Sequence, residues 1–142
     1  MLPYFQADLA NIDWSCLKST LAADSFDNGR TPAQLQRSFE QSQLVCIARA
    51  DSADGPIIGT ARALSDGICN AYVVDVWTAS PYRRRGIARA MIRSLLQNLQ
   101  GQHVSLFTDD HPDFYERIGF TRRGTTFEQV VGKWLVNESG RL

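Results

Sequence analysis

The most constraining stretch of this chain runs Val73-Val-Asp-Val-Trp-Thr-Ala-Ser-Pro-Tyr-Arg-Arg-Arg-Gly-Ile-Ala88. The β-branched and aromatic run over residues 71–78 predicts a strand. It breaks into a tight loop holding Arg83, Arg84, Arg85 and Gly86, then resumes at once as the strongest helical pattern in the sequence. Ile87, Met91, Leu95 and Leu99 recur every four residues beside Ala88, Ile92 and Leu96, so residues 87–99 are expected to form a helix with a wide buried face. Gly101 ends it. The first N–H groups of a helix have no internal partner and lie at the positive end of its dipole. Glycine lets a bulky anion approach the backbone closely. With arginines on its rim, residues 83–88 are expected to cradle a phosphate or pyrophosphate. No Gly-Lys-Ser/Thr follows, and Gly-x-Gly-x-x-Gly is absent, so neither a Walker loop nor a Rossmann fingerprint is present.

The remaining elements follow from their own signals. Residues 13–23 and 32–42 read as short helices, the second with Thr31 as cap and Pro32 at its first position. Residues 44–50 and 57–64 read as strands joined by a Gly-Pro turn, and an early strand is expected over residues 4–9. Residues 104–108 are expected to form a short buried strand, 112–118 a short helix and 120–123 a further strand. The tail over residues 126–136 fits a strand or an amphipathic helix, with strand preferred. A helical crossover late in the chain requires at least one parallel strand pair. The expected class is therefore α/β, one domain over residues 1–142, with a mixed central β-sheet flanked by helices.

Composition narrows the functional classes. Lys and Arg total 15, and Asp and Glu total 15. A net charge of zero argues against a chain held to nucleic acid or membrane by bulk charge. No apolar run approaches the roughly 18 residues of a membrane span, and no basic start followed by an apolar stretch suggests export. Cys16, Cys46 and Cys69 are odd in number and widely spaced, which suits neither a disulfide framework nor a zinc site. The expectation is a reduced, cytoplasmic, metal-free protein.

Arg83-x-x-Gly86-x-Ala88 resembles the acyl-coenzyme A pyrophosphate signature of the GCN5-related N-acetyltransferases (GNATs), Gln/Arg-x-x-Gly-x-Gly/Ala, with Ala88 in place of the commoner glycine. Phe114-Tyr-Glu-Arg-Ile-Gly-Phe120 is similar to the family's late signature, an aromatic pair, a short helix and Gly-Phe entering a strand. The resemblance covers residues 44–123, and the short C-terminal region puts a full final hairpin in doubt. Ala63-Leu-Ser-Asp-Gly-Ile-Cys-Asn-Ala-Tyr-Val-Val-Asp-Val76, Leu106-Phe-Thr-Asp109 and Phe114-Tyr115 further resemble the plant and cyanobacterial branch that includes plastid serotonin N-acetyltransferases.

The resemblance implies a GNAT fold, acetyl-coenzyme A (acetyl-CoA) as co-substrate, no metal, and an aromatic or other primary amine as acceptor. It implies donor contacts at Arg83, Arg84, Arg85, Gly86, Ile87 and Ala88, at the backbone of Val76, Trp77 and Thr78, and at Asp109 and Tyr115. The Val76 N–H is the candidate oxyanion donor. Tyr115 is the candidate general acid, because a phenol near pKa 10 keeps its proton until a thiolate near 8.5 develops; packing beside Phe114 and Phe120 is the alternative. Asp75, unusual inside a strand, would act as base, anchor a cationic amine, or pair with an arginine. Asp109 and His111 could relay a proton. Arg84, Arg85, Arg89 and Arg93 form a basic stripe suited to RNA or, better, to the 3′-phosphate of the donor nucleotide. Trp77 is core or lines an acceptor pocket. The expected activity is direct acetyl transfer to a small-molecule amine, with a protein acetyltransferase or a non-catalytic acyl-CoA sensor as alternatives and a homodimer left open.

Overall fold

The structure, a computed structural model, describes residues 1–135, in two compact units that divide between Leu106 and Phe107. In the first unit the elements run β1 (Pro3–Gln6), α1 (Trp14–Ala23), α2 (Pro32–Glu40), β2 (Leu44–Ala50), β3 (Ile57–Ser65), β4 (Asn70–Thr78), a 3₁₀ turn (Ser80–Tyr82), α3 (Ile87–Gln97) and β5 (His103–Ser105). They build a five-stranded sheet in the order β1-β2-β3-β4-β5. The first three pairings are antiparallel and β4 with β5 is parallel, which is the mixed sheet that the late crossover requires.

The helices begin where their caps dictate. The Asp13 carboxylate accepts the Cys16 N–H at 3.0 Å and starts α1. Thr31 and Gln34 form a reciprocal capping box, each side chain accepting the other's backbone N–H, with Pro32 at the first helical position. Leu17 and Leu21 of α1, Leu35 and Phe39 of α2, and Ile87, Met91, Ile92 and Leu95 of α3 are buried. Gly59 on β3 brings α3 close: a Cβ there would lie 3.0 Å from the Met91 side chain and 3.2 Å from Ala48 Cβ. Arg62, three residues on and therefore on the opposite face of the sheet, donates to the Ser38 carbonyl of α2 and lies over the Phe39 ring. Helices thus cover both faces.

Two expectations need correction. The strand expected over residues 104–108 is only His103–Ser105, and it is not buried: His103 and Ser105 are exposed and Val104 is half-buried. It forms the sheet's edge, so one side of its ladder has no strand to bury against. In the second unit, α4 (Pro112–Arg117) appears as expected, whereas residues 120–123 form no strand and 126–135 form neither strand nor helix; Val136 lies outside the described residues. A strand pattern needs a neighbouring ladder to satisfy its backbone, and among the described residues of this unit these segments meet none. Gly119, Gly124 and Gly132 interrupt them with positive φ, and Phe127, Val130, Val131 and Trp134 stay exposed. Among the described residues no helix is long and apolar enough to cross a membrane.

Candidate functional site

The site grows from β4. Opposite Ala61, the strand carries two residues, Asp75 and Val76, where β3 carries one, so β4 bulges there. Asp75 takes φ +55, and its carbonyl accepts the Thr60 hydroxyl at 2.9 Å. Its carboxylate lies in a two-arginine clamp. Arg30 donates from both terminal nitrogens at 3.0 and 3.1 Å, and Arg62 donates through Nε at 2.6 Å. Asn28 braces Arg30, and Ser38 and Ser42 brace Arg62. Burial alone raises the Asp75 pKa, but the hydrogen bonds and charges of Arg30 and then Arg62 outweigh it and hold the carboxyl below its ordinary 3.8. Of the three roles open to Asp75, these contacts describe an arginine-paired carboxylate, a poor proton acceptor.

Already before the bulge, β4 loses its parallel neighbour. Pairing with β5 covers only Asn70–Tyr72 against His103–Ser105, so the strand from Val73 to Thr78 has no β5 partner in register. Within the first unit, that stretch of β4 has no strand partner on the side facing away from β3. Val76 and Thr78 are half-buried, and among the described residues the buried Thr78 hydroxyl oxygen has no hydrogen-bond partner. Trp77 is 2% exposed and donates its indole N–H to Asp24 at 2.8 Å. Its side chain is therefore core.

Asp24 is the residue that sequence reasoning missed. It closes α1 and also accepts the Ser80 N–H at 3.2 Å and an Arg83 guanidinium N–H at 3.4 Å. The Ser80 hydroxyl, followed by Trp77, the Ser80 N–H and Arg83, holds its carboxyl below the ordinary value against its partial burial. Arg83 donates through Nε to the Thr78 carbonyl at 3.0 Å, so this side chain ties the loop to β4. The available signal was the carboxylate's position: an acid at a helix C-terminus opposes the dipole and has another task.

The loop then opens onto α3. Arg84 and Gly86 are both left-handed, at φ 64 and 78, and the first intrahelical bond runs from Ala90 N–H to the Gly86 carbonyl at 3.0 Å. Whereas α1 and α2 are closed by side-chain caps, α3 has none, which leaves its first-turn N–H groups for a ligand. A Cβ on Gly86 would meet nothing within 4 Å, so the space above it is open. No acid occupies the first turn. Among the described residues Arg84, Arg85, Arg89 and Arg93 make no ion pair, while Arg85 lies 5.4 Å from the Tyr82 ring centre. Positive charge crowded at the positive end of a helix works against the helix, and a bound anion reverses that penalty. Uncapped N–H groups, open space at Gly86 and unpaired arginines fit a diphosphate, and the bared β4 edge fits an extended arm beside it.

Tyr115 and Asp109 belong to the second unit. The Tyr115 ring meets Phe114 and Phe120 edge-on, with centres 5.0 and 5.8 Å apart. Burial pushes its phenol above the ordinary 10.0. Asp109 and His111 are exposed, and the His111 N–H donates to the Thr108 hydroxyl at 3.0 Å. In the first unit the Cys46 thiol is buried and raised by that burial, which suits packing rather than nucleophilic attack. Among the described residues no group of His, Cys, Asp or Glu could hold a metal ion.

Residues 41–122 match the family model of the acetyltransferase (GNAT) domain. A rice protein described as serotonin N-acetyltransferase 2, chloroplastic (Oryza sativa subsp. japonica), is 32% identical over 77% of this chain and 56% of its own length. A Glycine max protein described as histone acetyltransferase TAP1 is 31% identical over 62% of this chain and 42% of its own length. The chain thus spans about half the length of these relatives. A crystal structure from Deinococcus radiodurans, assigned as an acetyltransferase, superposes with a TM-score of 0.76 at 28% identity, covering 89% of this chain and 87% of that one. With the family model matched across β2 to β5, α3 and the Tyr115 segment, the chain belongs to the GNAT acetyltransferase family.

Proposed function

We propose that this chain is an acetyl-CoA-dependent N-acetyltransferase that moves an acetyl group directly to a primary amine while both substrates are bound. The observation that carries this reading is the uncapped α3 N-terminus, open at Gly86 and rimmed by arginines that have no carboxylate partner among the described residues. Acetyl-CoA supplies the activated acetyl thioester. The main-chain N–H groups of the first turn, including Ile87 and Ala88, bind its diphosphate, and Arg84 and Arg85 add charge at the rim. Arg83, held by Asp24, keeps the loop in position. The bared main chain of Val76, Trp77 and Thr78 receives the pantetheine arm much as a sheet edge receives a strand. The Val76 N–H, beside the bulge, stabilises the carbonyl oxygen as charge develops on it.

Tyr115 is the general acid of this scheme. As the new N–C bond forms and the C–S bond breaks, its phenol proton passes to the departing sulfur. The amine reacts as the neutral base and releases its own proton to solvent. Asp75 acts as a positioning residue that holds the bulge under Val76, and Asp109 remains a donor contact on the strength of the branch resemblance. The acceptor is a small-molecule amine of the arylalkylamine class, a choice supported by the rice relative's description. The Glycine max relative's description favours a second reading, a protein amine.

Release of free coenzyme A thiol across a panel of tryptamine, serotonin, polyamines, aminoglycosides, amino acids, a lysine peptide and histone tests both readings. Selective turnover on the aromatic amines is the expected result. Turnover on the peptide or histone alone selects the protein reading. Donor binding without turnover on any acceptor points to an acyl-CoA sensor.

A further inference from the structure

We propose a second ligand site at the opposite end of α3 from the Gly86 cradle, taking a small organic ammonium ion, a protonated amine on an apolar body. It lies wholly within the first unit and rests on no reading of the donor site.

The site begins where β1 leaves the sheet. The β1–β2 ladder ends at the pair Gln6 and Ile47, although β2 starts at Leu44. The Asp51 N–H donates to the Leu2 carbonyl at 2.8 Å. Facing alternates along an antiparallel strand, so Asp51, Arg49, Ile47 and Val45 turn their main-chain groups toward the β1 side. There the ladder offers Val45 no β1 partner. The departing chain is pinned in another direction. The Gln6 side-chain amide donates to the Asp8 and Ala10 carbonyls at 3.0 and 3.1 Å, and buried Arg49 donates to Gln6 Oε1 at 2.7 Å and to the Asn11 carbonyl at 2.9 Å.

A cavity of about 210 Å³ borders this vacated place, with Val45 in its lining. Leu9, Phe39, Leu44 and Leu95 give it apolar walls, and among the described residues that line it Glu40 alone is charged. Glu40 ends α2, where the helix dipole disfavours an anion. Among the described residues it forms no ion pair, not even with Arg37 one turn before it. The Arg62 guanidinium over the Phe39 ring is already paired with Asp75 and leaves Glu40 unmatched. An anion here would meet the Glu40 charge, and a neutral apolar molecule would leave Glu40 and the Val45 carbonyl without a donor. An ammonium group donates to such acceptors while its apolar body covers the walls. A cavity of roughly 150 Å³ already holds a benzene ring, so one ring on a short chain fits. Asn98, on the rim, stands about 18 Å along α3 from Gly86, well away from the cradle.

Backbone ¹⁵N NMR titration of the full chain with N,N-dimethyl-2-phenylethylamine, a tertiary amine that is no acetyl acceptor, tests this. The amide signals of Ser42, Val45, Ser94 and Asn98 should shift together, with a Kd of about 5 mM or tighter. The neutral counterpart 2-phenylethanol should bind about tenfold or more weakly, and Glu40→Gln should weaken binding of the amine by a similar factor. The same variant should bind acetyl-CoA as the native chain does. Absence of shifts at these amides up to about 50 mM amine overturns the site, as does a Glu40→Gln chain that binds the amine as tightly as the native one. Shifts confined to other residues place the amine elsewhere and overturn it too. A native chain that fails to bind acetyl-CoA overturns the donor reading and leaves this site standing.

Discussion

Asp75 stays ionised within the fold because Arg30 and Arg62 surround it, and each guanidinium is in turn only about one-tenth exposed. Asp75→Asn would leave two buried cations without their anion and should lower stability by about 3–5 kcal/mol, measured by denaturant unfolding. The pH dependence follows from the same clamp. Because the folded pKa lies below the unfolded one, the stabilisation is fully present above about pH 4 and is lost as pH falls through the folded value. Melting temperature should drop below about pH 4 in the native chain, and this acid-linked drop should be smaller in Asp75→Asn. Tyr115 carries a different expectation. Tyr115→Phe should reduce kcat about 100-fold with acetyl-CoA affinity nearly unchanged, since the packing of the ring survives without its hydroxyl. Burial holds the phenol protonated beyond pH 10, so native activity should decline only above that pH. The same substitution should remove that decline. Turnover equal to that of the native chain would exclude Tyr115 from the chemistry.

At the scale of elements, the segment from β4 through the arginine loop to α3 works as one unit, and Gly86 is its pivot. Gly86→Glu sets a side chain at φ 78, where L residues are strained, and puts a carboxylate where the proposed diphosphate would rest. Donor affinity should fall about tenfold or more, which calorimetry would show, while circular dichroism should remain that of the native fold. The hairpin between β2 and β3 depends on a second glycine for a different reason. A Cβ at Gly55 would lie 1.7 Å from the Ala50 carbonyl oxygen, so Gly55→Ala must shift the backbone of the turn. A loss of about 1–3 kcal/mol is expected, read from the denaturant midpoint; an unchanged midpoint would show that the turn yields freely. Both elements were legible in the chain. Four-residue spacing marked α3, Thr31 before Pro32 marked the start of α2, and a Gly-Pro pair marked the hairpin. β5 and the tail were less legible, because a strand's length depends on the ladder it meets and not on its own residues.

For the molecule as a whole, zero net charge hides a strong local asymmetry: Arg84, Arg85, Arg89 and Arg93 gather around one helix start. Fields from exposed charges decay over about 10 Å at 0.1 M salt. kcat/KM for acetyl-CoA should therefore fall severalfold between about 0.01 M and 0.5 M salt, whereas kcat should change little. A salt-independent kcat/KM would mean that these arginines do not attract the donor. By itself the sequence determined the α/β class, the three-strand meander, the α3 helix and the glycine at its start. Each of these rests on interactions among residues close in the chain: side-chain periodicity, caps, and the backbone freedom of glycine. Only the tertiary structure decided what Asp75 and Asp24 do and which edge of β4 is bare. Asp24 meets Ser80 across 56 positions, and Arg30 meets Asp75 across 45. Electrostatic and hydrogen-bond energies depend on separation in space, and folding sets that separation.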